Sequence, residues 1–546
     1  MIRRFLNAQT KNVFGAAAIL ASFSLLSRLF GLLRDRLLAA HFGAGRELDV
    51  YFAAFRIPDL IYNVLIAGGL VVCFLPLFSE LLKEDEKSAW EFTNNLLNIF
   101  LVLLSFVSLV LFIFAPFLVK IVAPGFDAEQ LKLTILLTRL MFLSPIFLGL
   151  SSIFSGIIQY FNRFLTYSIS PILYNLGIIL GILVLAPIFG VLGVAMGVVL
   201  GSFLHFLLQF LAALYCGFKY KLSLNLHYRG VKRAFLLMIP RVFGTAVSQV
   251  NLLIVTSVAS ILGEGAISIF NFANNLSTFP VGIIGISFAI AVFPSLSRAI
   301  ADEDKERFKK VFSVTLRQIL FLIVPLSLSM YVLRAQIVRI VLGAGKFTWG
   351  ETRLTAASLG IFALSLFAAT IIPLLLRAFF AFKDTKTPTL IAIASVIFNT
   401  FLVLFLPSVL SSPNAFQTLT ANLLKIEDLS NMRIVGLSLS VALSNVFQFI
   451  LFMYFLSKKI VSFKSKEILS SLYKIIASSI VMTIVIFLSL RLFNLFITTN
   501  TFLGIFLQTS LSFALGIAAF TVSSYFLKSP ELKDIILMLS RKLKHE

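Results

Sequence analysis

The sequence predicts an all-α, polytopic membrane protein of about fourteen transmembrane helices, with two parallel six-helix bundles around a central cavity and two further C-terminal helices. Three observations lead there: an apolar composition, apolar runs of bilayer length separated by basic loops, and an internal repeat. The chain has 546 residues, a mean hydropathy of +1.00, 59% hydrophobic residues and 13% charged residues. A soluble chain of this length would form several domains, each with a polar surface that roughly a quarter of charged residues normally supplies. This composition does not supply it. A transmembrane β-barrel is not expected, because the apolar runs are about 20 residues long and do not alternate.

In order along the chain the apolar segments are 13–35, 50–82, 92–122, 132–160, 165–187, 189–217, 234–262, 265–297, 308–341, 353–381, 387–408, 433–457, 468–493 and 502–527. The spans 50–82 and 265–297 are long. One holds Pro58, Gly68 and Gly69, the other Pro280, Gly282 and Gly285, which predicts tilted, kinked helices.

The charge is lopsided, with 46 Lys+Arg against 24 Asp+Glu and a net charge of +22. The basic residues gather between apolar runs, at Arg3, Arg4 and Lys11 and within 219–233, 298–310, 383–386, 458–466 and 528–544. With fourteen spans these fall on one side, which the positive-inside rule makes the cytoplasm. Both termini are expected there, and nucleic-acid binding is not expected. Opposite loops such as 123–126 and 407–432 carry few basic residues. The stretch 219–233 mixes basic and apolar residues and is expected to lie along the interface as a linker. Cys73 and Cys216 lie in apolar segments and read as small core residues, not a disulfide. Without a Cys/His cluster no metal site is expected. The first apolar run starts near Val13 and carries arginines, so no cleavable signal is expected.

The repeat rests on several landmarks. Phe74-Leu75-Pro76-Leu77-Phe78-Ser79 matches Val292-Phe293-Pro294-Ser295-Leu296-Ser297, with Pro76 and Pro294 standing 218 residues apart. Leu118-Val119-Lys120-Ile121-Val122 matches Ile337-Val338-Arg339-Ile340-Val341. Tyr160-Phe161-Asn162-Arg163, followed by Pro171 and Asn175, echoes Phe380-Ala381-Phe382-Lys383, followed by Pro388 and Asn399. The expected division is a first bundle over 1–217, an interfacial linker over 218–233, a second bundle over 234–457, two additional helices over 458–528 and a basic tail over 529–546. An even number of spans per repeat makes the copies parallel, as in alternating-access transporters whose site lies between the halves.

Charged groups inside apolar spans cost about 2.5–3.5 kcal/mol each at the bilayer centre, so they face a cavity or a partner. The first bundle concentrates them. In Ser27-Arg28-Leu29-Phe30-Gly31-Leu32-Leu33-Arg34-Asp35, Arg28 and Asp35 share a helix face with Gly31 between them, while Arg34 points elsewhere. Asp49 and Arg56 have the same seven-residue spacing in the next helix. One reading is a cationic cavity lined by Arg28, Arg34 and Arg56, with Asp35 and Asp49 orienting the guanidiniums, whose planar forks suit phosphate. The other leaves Arg34, Asp35, Arg36 and Asp49 at the membrane surface and lets Arg56 snorkel. Arg28, nearest mid-span, is assigned to the cavity, and Arg36 and Arg46 to the surface. In the second bundle Asn271 and Asn275 share a face, either for sugar hydroxyls and amides or for bonds between helices. Gln249 and Asn251 have the same two readings. Arg241, after Pro240, reaches either a cavity or the cytoplasmic interface, and Arg377 is assigned to the interface. No phosphate loop, paired-carboxylate or Ser/His/Asp constellation stands out, so no enzymatic activity is expected.

From Ser27 to Asp35 the chain resembles the MurJ (MviN) family of lipid II flippases. The resemblance continues through Phe42-Gly43-Ala44, Asp49, Phe52, Phe55-Arg56-Ile57-Pro58 and Phe74-Leu75-Pro76. It resumes at Phe279-Pro280-Val281-Gly282, Phe293-Pro294-Ser295-Leu296-Ser297 and Lys383-Asp384-Thr385-Lys386-Thr387-Pro388. That family shares a superfamily with MATE drug exporters and polysaccharide flippases. The resemblance implies that Arg28, Arg34, Asp35 and Asp49 bind a diphosphate head group or gate the cavity, and that the last two helices form a groove for a polyprenyl tail. Two arginines of the family fall here at about Tyr62, beside Asn63, and at about Asn275, and the family's acidic residue near Ala67 is missing. Arg56 and Arg241 are candidates to replace the lost arginines.

The implied function is a flippase that moves undecaprenyl-diphosphate-linked disaccharide-peptide, lipid II, from the inner to the outer leaflet of the bacterial plasma membrane by alternating access. The implied partners are lipid II and membrane lipids. A monomer is expected, with cell-wall synthesis proteins as contacts and no cofactor. Coupling to the membrane potential or to a monovalent cation is left open. Rival readings are a polysaccharide-lipid flippase, a MATE-like drug/cation antiporter, or a non-transporting scaffold or membrane glycosyltransferase. A cation exporter would want acidic groups where this cavity is basic. A transferase would want an acidic constellation at a loop, for which Glu427 and Asp428 are weak candidates.

Overall fold

The computed structural model describes residues 13–429, 431–460, 465–534 and 536, and helix is the only regular secondary structure among them. Among the described residues eleven helices are long and apolar enough to cross a membrane, and Thr245–Ile261 adds a shorter apolar stretch. Three further rods, Val13–Phe42, 46–84 and Val231–Ile261, each include residues whose side chains lie outside the described set. Contacts divide the chain into two compact units. The first runs to Ser268 and adds Ala344–Phe347; the second holds Ile269–Gly343 and the chain from Thr348 onward.

The first unit is built from α1 (Val13–Phe42), α2 (46–84), α3 (Glu86–Val122), α4 (Ala128–Tyr160), α5 (Phe164–Phe189), α6 (Val191–Tyr215) and α7 (Val231–Ile261). Side chains set several of the starts. Asp85 caps α3 by accepting from the Ser88 N–H, and Asp127 with Gln130 forms a capping box on α4. The core is aromatic. Phe74 is fully buried and stacks on Phe78 and Phe92 with ring centroids 5.3 and 5.8 Å away. Gly156 makes room for it, since a methyl there would stand 2.3 Å from the Phe74 ring. The Phe-Leu-Pro landmark of the repeat is thus a packing element.

Helices α5 and α6 meet backbone to backbone. Gly177 and Gly181 face Gly201 and Gly197, and a methyl on Gly177 would stand 2.2 Å from the Gly201 Cα. The four-residue spacing on both helices is that of small-residue contacts in membranes. Helix α7, expected to open the second bundle, packs against α2 and α3 and groups with the first unit. Ser257 Oγ donates to the Ile121 carbonyl at 2.9 Å, and the Gly125 N–H donates to Ser260 Oγ at 3.1 Å. The stretch 219–233 runs without regular structure to Asn225, turns through 226–230 and enters α7 at Val231; asparagines of α3 clamp its first part. Asn94 bonds the Lys219 carbonyl and the Lys221 N–H at 3.0 and 2.8 Å, and Asn95 accepts from the Asn225 N–H at 2.7 Å.

The second unit holds most of α8 (Ala266–Ala301), then α9 (Lys305–Val332), α10 (Trp349–Ala381), α11 (Lys386–Val409), α12 (Arg433–Lys459), α13 (Ser465–Phe493) and α14 (Phe502–Phe526). Short helices Arg334–Val341 and Ala415–Leu424 lie between them. The two additional helices form a hairpin, and α13 packs along α9. Buried Glu531 ties the hairpin's ends, accepting from Ser471 and Ser529 hydroxyls at 2.7 and 2.8 Å.

The repeat reappears in the backbone. α2 widens into a π-helical stretch at Tyr62–Leu70 and α8 into one at Val281–Ile286, positions that the 218-residue offset superposes. The two spans expected to be irregular are therefore irregular at equivalent places, where wide turns accommodate neighbouring Pro and Gly residues. A third wide stretch occurs at Gly181–Leu185 in α5. The loops after α4 and α10 also match: Asn162 and Lys383 both take φ of 57°. This pairs Asn162 with Lys383, one residue away from the pairing of Arg163 with Lys383 read from the sequence.

The Asp384 turn gives a pH prediction. Burial raises the Asp384 carboxyl, but Lys459 at 2.8 Å and Thr387 outweigh it and hold the group at about 2. A depressed carboxyl stabilises the fold above its unfolded value, about 3.9, and loses that contribution as pH falls toward 2. Asp384→Asn is expected to lower thermal stability by about 1 kcal/mol at pH 7, allowing for solvent screening. The difference from wild type should shrink between pH 4 and pH 2 in detergent melts.

Candidate functional site

The first unit buries a polar network drawn from α1, α2, α5 and α7. Asp35 is 4% exposed and is gripped by its neighbour: Arg34 Nε and Nη2 donate to Asp35 Oδ1 at 3.1 and 2.8 Å. Arg34 Nη1 reaches across to Asn175 Oδ1 on α5 at 3.3 Å. The Asn175 amide nitrogen donates to the carbonyls of Pro171 and Ser27 at 3.1 and 3.4 Å, so its oxygen is turned toward the guanidinium. Tyr51 and Tyr174 stand within electrostatic reach of Arg34, and Asp59 within reach of Tyr174, Tyr62 and Arg56. Arg56 is 9% exposed and its Nε donates to Thr256 Oγ1 of α7 at 2.8 Å. An arginine inside an apolar bundle is tolerated on such terms, with a carboxylate or hydroxyl satisfying part of its fork.

The sequence expectations divide accordingly. Asp35 lies against the guanidinium of Arg34. Arg28, on the same helix, is half-buried. Asp49 does something else. Only 2% exposed, it accepts from the Gly265 N–H at 2.7 Å and from the Ser268 N–H and hydroxyl at 2.8 and 2.6 Å. Three donors from one turn of chain hold this carboxylate and tie α2 to the start of α8 within the first unit. Arg56 is buried against α7, which corrects the snorkelling reading. Tyr62 and Asn63 open the π-helical stretch, Tyr62 packing on the aromatic core and Asn63 donating to the Asp59 carbonyl at 3.0 Å. Asn271, buried, and Asn275, half-buried, lie on α8 in the second unit. The side chain of Arg241 lies outside the described residues, as do Arg3, Arg4 and Lys11. Arg46 bonds Asp127 and Glu129 at 2.6 and 2.9 Å on an exposed surface. Arg377 stacks over Phe293 at 5.2 Å.

Sequence reasoning missed Asn175 as a site residue, although it served as a repeat landmark. It also passed over Tyr51, Tyr174 and Thr256. A polar residue on a span after Pro171 was the one signal for Asn175. The role of Asp49 yields a prediction. Asp49→Ala strands two backbone donors and a hydroxyl, and is expected to cost about 2–4 kcal/mol in thermal stability. Asp49→Asn keeps one acceptor and should cost less.

These features define a multi-pass helical membrane protein whose first unit carries an arginine-centred polar network inside its bundle. The family model for the lipid II flippase MurJ matches residues 38–507. The lipid II flippase MurJ of Burkholderia cenocepacia is 30% identical over 395 residues, covering 71% of this chain and 77% of that protein. The probable lipid II flippase MurJ of Buchnera aphidicola subsp. Acyrthosiphon pisum is 27% identical over 483 residues, 86% of this chain and 89% of that one. Among solved structures, a lipid II flippase MurJ in an inward closed conformation superposes with a TM-score of 0.75 at 22% identity, covering 95% of this chain and 100% of that chain. An inward-facing multidrug resistance MATE family transporter gives 0.65 at 14% identity, over 82% and 99%; these two likenesses concern the fold. The chain belongs to the MurJ lipid II flippase family.

Proposed function

We propose that this protein moves lipid II from the inner to the outer leaflet of the bacterial plasma membrane by alternating access, without enzymatic chemistry and without a cofactor. The observation that carries the proposal is the Arg34–Asp35–Asn175 cluster. A diphosphate carries negative charge that the apolar bilayer cannot solvate. Arg34 supplies a fixed fork, two of whose nitrogens donate to Asp35, while the third makes a long 3.3 Å contact with Asn175. A phosphate oxygen that displaced the Asn175 contact would gain a charge-assisted hydrogen bond. Asp35 balances part of the charge, so the grip stays moderate and the ligand can leave. Arg28, half-buried six residues and about 9 Å earlier on the same helix, is the second cation this helix offers to the head group. Arg56, also in the first unit, is held on Thr256. The membrane potential acting on these charges, or a monovalent cation, is the proposed driver. The basic loops support a cytoplasmic position for both termini, and the protein works as a monomer in contact with cell-wall synthesis proteins.

Complementation of conditional flippase loss tests the assignment. The wild-type chain is expected to restore growth and the exposure of lipid II on the outer leaflet. Full membrane insertion without either would overturn it. Restoration of a surface polysaccharide in place of lipid II would move the assignment to a polysaccharide-lipid flippase.

A further inference from the structure

At the end of the second unit opposite the Asp384–Lys459 pair, the tips of α9, α10, α13 and α14 and the two short helices enclose a cavity of about 790 Å³. That is within the usual range for a ligand site. Its lining carries five cations, Arg334, Arg339, Arg353, Lys425 and Arg491, and among the described residues no carboxylate. Arg353 is neutralised by Asp428, whose two oxygens it meets at 2.7 and 2.6 Å. Among the described residues the other four have no carboxylate at ion-pair distance.

The guanidiniums are held in place. Arg334 lies over Tyr331 at 4.8 Å, Arg339 over Trp349 at 5.3 Å and Arg491 over Phe487 at 4.6 Å. Backbone carbonyls fix two of them: Arg334 Nη1 donates to Tyr331 at 2.8 Å and Arg339 Nη2 to Thr499 at 3.1 Å. Each leaves further N–H donors for a ligand. Gln336 Oε1 is buried in the same wall without a hydrogen-bond partner, an acceptor for a ligand hydroxyl or amine. Burial pulls the Arg334 pKa down while Tyr331 opposes it; a buried cation without a counter-ion is costly. The basic loops put this end on the non-cytoplasmic side, where the positive-inside bias works against Lys and Arg. Packing alone gives no reason to gather cations there.

We infer that this cavity binds a phosphate-bearing group at the outer face, either the headgroup of a lipid or a free phosphate or diphosphate. Planar forks on rigid mounts match phosphate oxygens in pairs, and the four unneutralised cations suit a multiply charged group. Neither the cavity nor its cations depend on which cargo the protein moves.

The test uses the full-length protein in nanodiscs. In phosphatidylcholine discs, pyrophosphate is titrated calorimetrically. In mixed discs, phosphatidylglycerol retained by the protein is read by native mass spectrometry. Wild type is expected to bind at least one probe, more weakly as salt rises. Arg334→Gln and Arg491→Gln should each weaken binding roughly tenfold, with Arg491→Lys recovering part. Gly360→Ala keeps every charge but places a methyl 2.8 Å from Arg334 Cδ, and should also weaken it. Binding of pyrophosphate alone identifies the free anion; retention of phosphatidylglycerol alone identifies the lipid headgroup. Arg491 is exposed, so its variants report even if Arg334→Gln does not fold. Absence of binding for both probes, or equal binding by wild type and Arg491→Gln, overturns the proposal.

Discussion

Arg34→Ala is expected to reduce lipid II translocation by about 30-fold, the equivalent of one charge-assisted hydrogen bond. The same change leaves Asp35, 4% exposed, as a buried carboxylate without its guanidinium. Removing one partner of a buried pair costs about 3–5 kcal/mol, so a simple loss of function would confuse binding with folding. Two companions separate them. Arg34→Lys keeps the charge but loses the fork, and is expected to fold while transporting about tenfold less. The double change Arg34→Leu with Asp35→Leu removes the pair together, and is expected to recover melting temperature without recovering transport. Outer-leaflet lipid II and detergent melts are the two measurements. A double variant that transports like wild type would remove Arg34 from the site while leaving the family assignment intact.

Gly201→Leu is expected to destabilise the first unit by about 3 kcal/mol or more, the upper range of overpacking costs. The cause is that the obstacle is backbone. A Cβ on Gly201 would stand 2.3 Å from the Tyr174 carbonyl oxygen, and one on Gly177 would stand 2.2 Å from the Gly201 Cα. No rotamer change relieves such a contact; α5 and α6 would have to separate. Tyr174 and Asn175 are carried on α5, so the separation also moves the Arg34 partner. Lower melting temperature with reduced transport is the expected result, with Gly201→Ala milder. Unchanged melting for Gly201→Leu would show that the two helices do not meet there.

Much of the fold is legible in the amino-acid sequence. The apolar runs announce a helical membrane protein because a bilayer imposes one length and one backbone solution on every crossing. The repeat is legible because Pro and Gly positions survive as landmarks, and the wide turns at Tyr62–Leu70 and Val281–Ile286 lie where those landmarks put irregularity. Arginine at positions 28, 34 and 56 stands out because charge inside an apolar span has a cost that local sequence reveals.

Partnership is not legible in this way. Seven-residue spacing puts Asp35 under Arg28 and Asp49 under Arg56. In the fold Asp35 is held by adjacent Arg34, and Asp49 by Gly265 and Ser268, more than 200 residues along the chain. The same holds for Arg334, Arg339, Arg353, Lys425 and Arg491, which in sequence are scattered over three separate helices and one loop and become one basic cavity only when α9, α10, α13 and α14 end side by side. Periodicity and hydropathy are properties of a single helix, so the sequence by itself determined the helices, their number of crossings to a first approximation and which of them carry charge. Which charge meets which group depends on the packing of helices far apart in the chain, through contacts such as Gly177 on Gly201, and only the tertiary structure decided that.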